Sequence, residues 1–97
     1  MRITVLPSAQ SDIASGFRFY QKQGEGLGGY FMESIFSDID SLRLYGGIHR
    51  KVFGNYRVLS KRFPYAIYYS LEAENLLVRA VLDCRRDPGW TKHKLKA

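Results

Sequence analysis

Six residues in the C-terminal half of the chain have side chains suited to gripping an anion: Arg57, Lys61, Tyr68, Arg79, Arg85 and Arg86. Arginine offers a planar fork of N–H donors and stays charged at neutral pH, lysine a mobile ammonium, and tyrosine a hydroxyl on an aromatic plate. On one face, such groups hold a phosphodiester or a carboxylate-rich segment. With a proton acceptor beside them they also clamp the charge that builds up when a ribose 2′-hydroxyl attacks its own phosphate. Arginine is a poor base. The acceptor would have to be tyrosine, histidine or a lysine of depressed pKa such as Lys61, and no spacing in the sequence places one.

These residues lie in Tyr56–Trp90, which reads as three consecutive strands. Tyr65, Ile67, Tyr69 and Leu71 alternate with Ala66, Tyr68 and Ser70. Leu76, Val78, Ala80, Leu82 and Cys84 alternate with Leu77, Arg79, Val81 and Asp83. Period-2 patterning in β-branched and aromatic residues is the strand signal. Glu72–Asn75 fits a hairpin connection with Asn75 in the left-handed position. Pro64, lacking an amide donor, belongs at a strand start, and Tyr56–Lys61 supplies the third strand. One face of this sheet can be wholly apolar. The other carries Arg57, Lys61, Tyr68 and Arg79, with Arg85 and Arg86 at its rim. Arg57 has Glu72 or Glu74 as candidate ion-pair partners, and Arg79 has Asp83. Phe63, Tyr65 and Tyr69 fall in the apolar phase and are expected in the core.

The N-terminal half supplies what covers the apolar face. Arg2–Leu6 is a short strand ended by Pro7. Ser8 is placed to cap a helix running to Gln23, with Asp12 near its positive end. Ala9, Ile13, Phe17 and Tyr20 give that helix one buried stripe. In QGEGLGG, Gly24 suits a left-handed cap. The run joins two helices and no Lys-Ser/Thr follows it, so it is a connection and not a phosphate loop. A second helix covers Gly28–Tyr45, its stripe being Leu27, Phe31, Ile35, Ile39 and Leu42, while Glu33, Asp38 and Asp40 face away. The expected fold is therefore α+β, a single domain over residues 1–97 in the order β-α-α-β-β-β, with a helical hairpin on an antiparallel-rich sheet. Residues 91–97, with three lysines, are expected to be a mobile tail.

Composition narrows the partners. Fifteen Lys and Arg against nine Asp and Glu give a formal charge of +6, which favours nucleic acid, anionic lipid or an acidic protein. A lone cysteine excludes an internal disulfide, and Cys84 is expected to be a small buried hydrophobe. His49, next to two loop cations, and His93, in the tail, read as solvated. Two distant histidines and one cysteine make no metal site, and no metal or cofactor is expected. No run approaches a membrane span, and Met1–Pro7 is too short for a signal peptide, so a cytoplasmic protein is expected.

With that element order in place, Phe63-Pro64-Tyr65 entering a strand and Arg85-Arg86-Asp87-Pro88 leaving the last one resemble the RelE/ParE superfamily of bacterial toxins, from Ile3 to Trp90. The resemblance implies the toxin half of a type II toxin–antitoxin module. It also implies a cognate antitoxin that wraps the toxin with an extended or helical segment and supplies the contacts to operator DNA. RelE-like members cut mRNA in the ribosomal A site, whereas ParE-like members inhibit DNA gyrase. If the chain is a ribonuclease, the resemblance assigns catalysis to Arg57, Lys61, Arg85 and Arg86. A further RelE arginine, just inside the middle strand, corresponds here to Ala66. No glutamate matches the base of the YoeB-like subgroup, and Trp90 with a lysine-rich tail replaces a C-terminal tyrosine. The expectation is a binding inhibitor, most simply of gyrase. The alternatives are a ribosome-dependent endoribonuclease and an inactive relative retained as antitoxin partner or co-repressor.

Overall fold

The structure, a computed structural model, describes residues 1–96. Strand β1 (Arg2–Val5) leads into helix α1 (Pro7–Gln21). Helices α2 (Leu27–Asp40) and α3 (Leu42–Tyr45) follow, then β2 (Lys51–Val52), β3 (Asn55–Leu59), β4 (Tyr65–Glu72), β5 (Asn75–Asp83) and α4 (Pro88–Lys96). The five strands form one sheet in the order β1-β5-β4-β3-β2. β1 runs parallel to β5, and the other neighbours are antiparallel. The α+β architecture expected from the sequence is present, enlarged by β2, α3 and α4.

The helical hairpin covers one face. Phe31, Ile35 and Leu42 from the α2–α3 stripe are fully buried against Ile67, Tyr69, Leu76 and Val78. Aromatic rings knit the two layers: Phe31 lies 5.1 Å from Phe63 and 4.9 Å from Tyr65, and Tyr20 lies 4.8 Å from Phe63. The helices approach closely because glycine faces a ring on each. A Cβ on Gly16 would stand 2.4 Å from the Phe31 ring, and one on Gly28 would stand 2.8 Å from Phe17.

Local chemistry departs from the sequence expectations at several points. Leu6 occupies the N-cap of α1 with Pro7 in the first turn, a placement suited to its missing N–H. The Ser8 hydroxyl is therefore free to donate to Arg79 O, at 2.8 Å. Asp12 reaches the same strand, accepting from the Val81 N–H at 3.0 Å. The left-handed residue in the glycine run is Gly26 (φ 82°), at the start of α2, and not Gly24. In the β4–β5 hairpin Ala73 (φ 55°), not Asn75, takes the positive φ. Asp38 is buried, because the chain leaving β3 needs an acceptor where it crosses α2: Ser60 Oγ donates to its carboxylate at 2.7 Å.

A β-bulge changes what the second face carries. Pairing passes from Tyr69↔Val78 to Tyr68↔Ala80, so Arg79 is an extra residue and the phase of β5 reverses beyond it. Val81 therefore joins the helix-side core, while Ala80 and Leu82 join Ala66 and Tyr68 on the other face. That face is not purely polar. Trp90 and Leu95 of α4 pack on this second apolar patch, so Pro88–Lys96 form a docked helix where a mobile tail was expected. Ala97 lies outside the described residues. Cys84 falls just past the end of β5 and is exposed, not buried.

Candidate anion-binding face

Arg57 stands at the centre of the second face. It lies opposite Tyr68 in the β3–β4 ladder, so both side chains project from the same side. The β2–β3 hairpin turns through Phe53 (φ 52°) and Gly54 (φ 83°), pairing Val52 with Asn55 and Lys51 with Tyr56. One step further along, the Arg57 N–H donates to Arg50 O at 3.0 Å. Arg50 and Arg57 are thus cross-strand neighbours on one face. Like charges directly opposite are unfavourable in a sheet, and among the described residues neither arginine has a carboxylate within ion-pair distance. A bound anion would remove that repulsion.

Tyr68 and Cys84 complete the centre. Tyr68 is on the expected face but only 4% exposed, buried by the patch that α4 roofs. Burial pushes its hydroxyl pKa up, while the Arg57 guanidinium pulls it part of the way back. Partial desolvation of its sulfur likewise raises the Cys84 thiol although the residue as a whole is exposed, with Arg57 again opposing. Both groups are therefore protonated at neutral pH, and next to Arg57 they act as donors or neutral neighbours, not as bases.

The other cations singled out from sequence are distributed differently. Arg79 donates from Nε to Ser70 Oγ at 2.8 Å and pairs with Glu72 at 2.9 Å, in place of the Asp83 partner considered above. Asp83 instead holds Arg85 in a two-pronged pair, Nε to Oδ1 at 2.9 Å and Nη2 to Oδ2 at 2.8 Å. This pair lowers the Asp83 carboxyl and raises the Arg85 guanidinium. Arg86 keeps its charge available, its guanidinium stacked 4.1 Å from the Trp90 ring. Lys61 is exposed in the loop beyond β3, its backbone N–H turned 3.4 Å from Asp38 of α2, so no strand carries it to Arg57. The face therefore gathers Arg57 and Tyr68, adds Arg50, keeps Arg86 at its rim, and leaves Arg79 and Arg85 neutralised.

Beside the rim, α1, β5 and α4 enclose a cleft of about 270 Å³, lined by Asp12, Ser15, Phe19, Tyr65, Arg86 and Trp90 among others. Burial, aided by the Asp83 charge, pushes the Tyr65 hydroxyl up to about 12, and burial also raises the Asp12 carboxyl. His49, expected to be solvated, is hydrogen-bonded to Tyr69, whose side chain lies in the helix-side core. Among the described residues the face thus offers anion donors and no group poised to accept a proton. Arg50 was missed from sequence because β2 is two residues long. Counting outward from a Phe53-Gly54 turn is the signal that would have placed it opposite Arg57.

No protein-family model and no curated relative matches the chain. Among solved structures it is similar to a chain of the "Chromosomal ParDE TA system from P. aeruginosa", with a TM-score of 0.75 and 13% sequence identity, over 84% of this chain and 92% of that one. At that identity the likeness is one of fold: the chain is a small α+β protein of the ParE-like fold that the sequence resemblance implied.

Proposed function

We propose that the chain is the toxin of a type II toxin–antitoxin module and stops bacterial growth by binding a target, DNA gyrase, rather than by cutting RNA. The likeness to a ParDE chain over most of both molecules supports the module. One observation favours binding over cleavage: the Arg50–Arg57 pair lies beside a protonated hydroxyl and a protonated thiol, a clamp without a base. Arg85, which the resemblance offers as a transition-state clamp, is already held by Asp83. The partner is an antitoxin carrying an acidic segment. Its association with a +6 chain is fast and weakens with salt. Contacts to operator DNA come through the antitoxin, and the proposed setting is the bacterial cytoplasm.

The ribosome-dependent endoribonuclease is the second reading, favoured by the contact of Arg57 with the Tyr68 hydroxyl. Inducing the chain alone in a bacterium and following methionine and thymidine incorporation separates the two. An early fall in thymidine with translation intact is expected, together with loss of supercoiling by purified gyrase. An early fall in methionine, with A-site cuts in a translated message, would replace gyrase by the ribosome. Unchanged growth would leave the inactive relative.

A further inference from the structure

The Tyr68–Tyr69 dipeptide serves both faces of the sheet. Tyr68 lies beside Arg57. Tyr69 projects to the other side, has no exposed surface, and places its hydroxyl in the loop between α3 and β2. The Gly47 N–H donates to that oxygen at 2.9 Å. His49 Nδ1 stands 2.6 Å from the same oxygen. A phenol has one proton to give and lone pairs with which to accept. The Gly47 N–H takes one lone pair, and Nδ1 is the acceptor that stands within reach of the hydroxyl proton, so the proton goes to Nδ1, and His49 carries its own proton on Nε2. In the reverse arrangement, with Nδ1–H donating, the buried hydroxyl proton would have no acceptor, which native interiors avoid.

The loop held in this way leads directly to the cation pair. Gly47 sits at φ 96°, closed in by Leu71. Arg50 follows His49 and receives the Arg57 N–H. The ionisable groups packed around the Tyr69 hydroxyl are Tyr56, stacked on Tyr69 at 5.1 Å, and Lys51, over the Tyr56 ring at 4.9 Å, with Arg50 next in the chain. None of these forms an ion pair among the described residues.

We propose that Tyr69 and His49 form a single-tautomer latch that fixes Arg50 opposite Arg57, and so positions this pair to receive a phosphate or carboxylate group. Both are positioning residues. The proposal rests on the functional reading above only in treating the arginine pair as the working face.

The test uses the whole chain, uniformly labelled with 15N, and inorganic phosphate as the probe. Ring shifts of His49 at neutral pH should report an unprotonated Nδ1 and a protonated Nε2. Tyr69→Phe and His49→Ala should lower the protection of the Gly47 amide against exchange about tenfold, the effect of one lost hydrogen bond. They should also weaken phosphate binding, followed at the Arg57 Nε–H, about three- to tenfold through a less ordered loop. His49→Asn, which keeps an acceptor near the position of Nδ1, should restore both. If Tyr69→Phe fails to fold, the two His49 variants, which alter a loop residue, carry the test. An Nδ1-protonated tautomer, or phosphate binding unchanged when Gly47 protection is lost, would overturn the latch. Growth inhibition is scored separately: a harmless parent with an intact latch sinks the toxin reading alone, and a toxic parent lacking the tautomer sinks the latch alone.

Discussion

The two faces of the sheet differ in what their side chains meet. On the helix side, Phe31, Ile35, Ile67, Tyr69, Leu76 and Val78 are fully buried. Polar groups reaching that side are paired, as Asp38 is with Ser60 and Tyr69 with Gly47 and His49. On the opposite side, a smaller patch of Ala66, Tyr68, Ala80 and Leu82 is roofed by two side chains of one short helix and ends at two arginines that form no ion pair among the described residues. The contrast separates stability from recognition. A stable small domain has only about 5–15 kcal/mol in reserve, and here the helix side carries most of it. The second face can therefore keep like charges together where a partner would find them.

The largest expected effect tests the first half of that contrast. Phe31→Ala empties the aromatic core and should cost about 3–5 kcal/mol in urea unfolding, against about 2 kcal/mol for Leu82→Ala under α4. Equal losses would mean that the faces share the core. A smaller effect concerns two carboxylates that serve β5. The Asp12 pKa is raised, so the folded chain holds this proton more tightly than the unfolded one does. Its contribution is complete below the unfolded carboxylate value of about 3.9 and is lost as pH rises through the raised value. The Asp83 pKa is lowered by Arg85. Its contribution is present above the unfolded value and is lost as pH falls through the lowered one. Relative to the parent, Asp12→Asn should therefore change the pH slope of stability above the unfolded carboxylate value of about 3.9, and Asp83→Asn should change it with the opposite sign below that value. Slopes of the same sign would remove the distinction. The smallest effect on stability belongs to the second face. Arg57→Ala should change unfolding by no more than about 0.5 kcal/mol and still abolish growth inhibition. A large stability loss would make Arg57 a structural residue.

What the sequence revealed follows from what is periodic. The Leu27–Leu42 stripe announces itself because one face of the helix is buried, and β4 announces itself through β-branched and aromatic residues at every second position, although both of its faces are buried. The β5 phase was misassigned beyond Val78, since the bulge inserts Arg79 with no glycine to mark it. β2 escaped notice because its turn places Phe53, not a usual turn residue, at φ 52°. Arg50 escaped with it. α4 is held mainly by Trp90, Thr91 and Leu95, and three lysines disguise it as a tail. Asp38 looked solvated because its partner Ser60 is 22 residues away. The candidate site was half legible for the same reason: strand phase gives Arg57 and Tyr68, while the pairing that neutralises Arg79 and Arg85 belongs to tertiary geometry.

The attachment of α1 to β5 bears on self-association. β1 covers four positions of the nine-residue β5. Past Val78 the strand would present free backbone to any other chain, but Ser8 occupies Arg79 O and Asp12 occupies the Val81 N–H. The far margin of the sheet is β2, only two residues long. Both margins of the sheet are short, four residues in β1 and two in β2, and short edge strands disfavour the strand-by-strand addition of further copies.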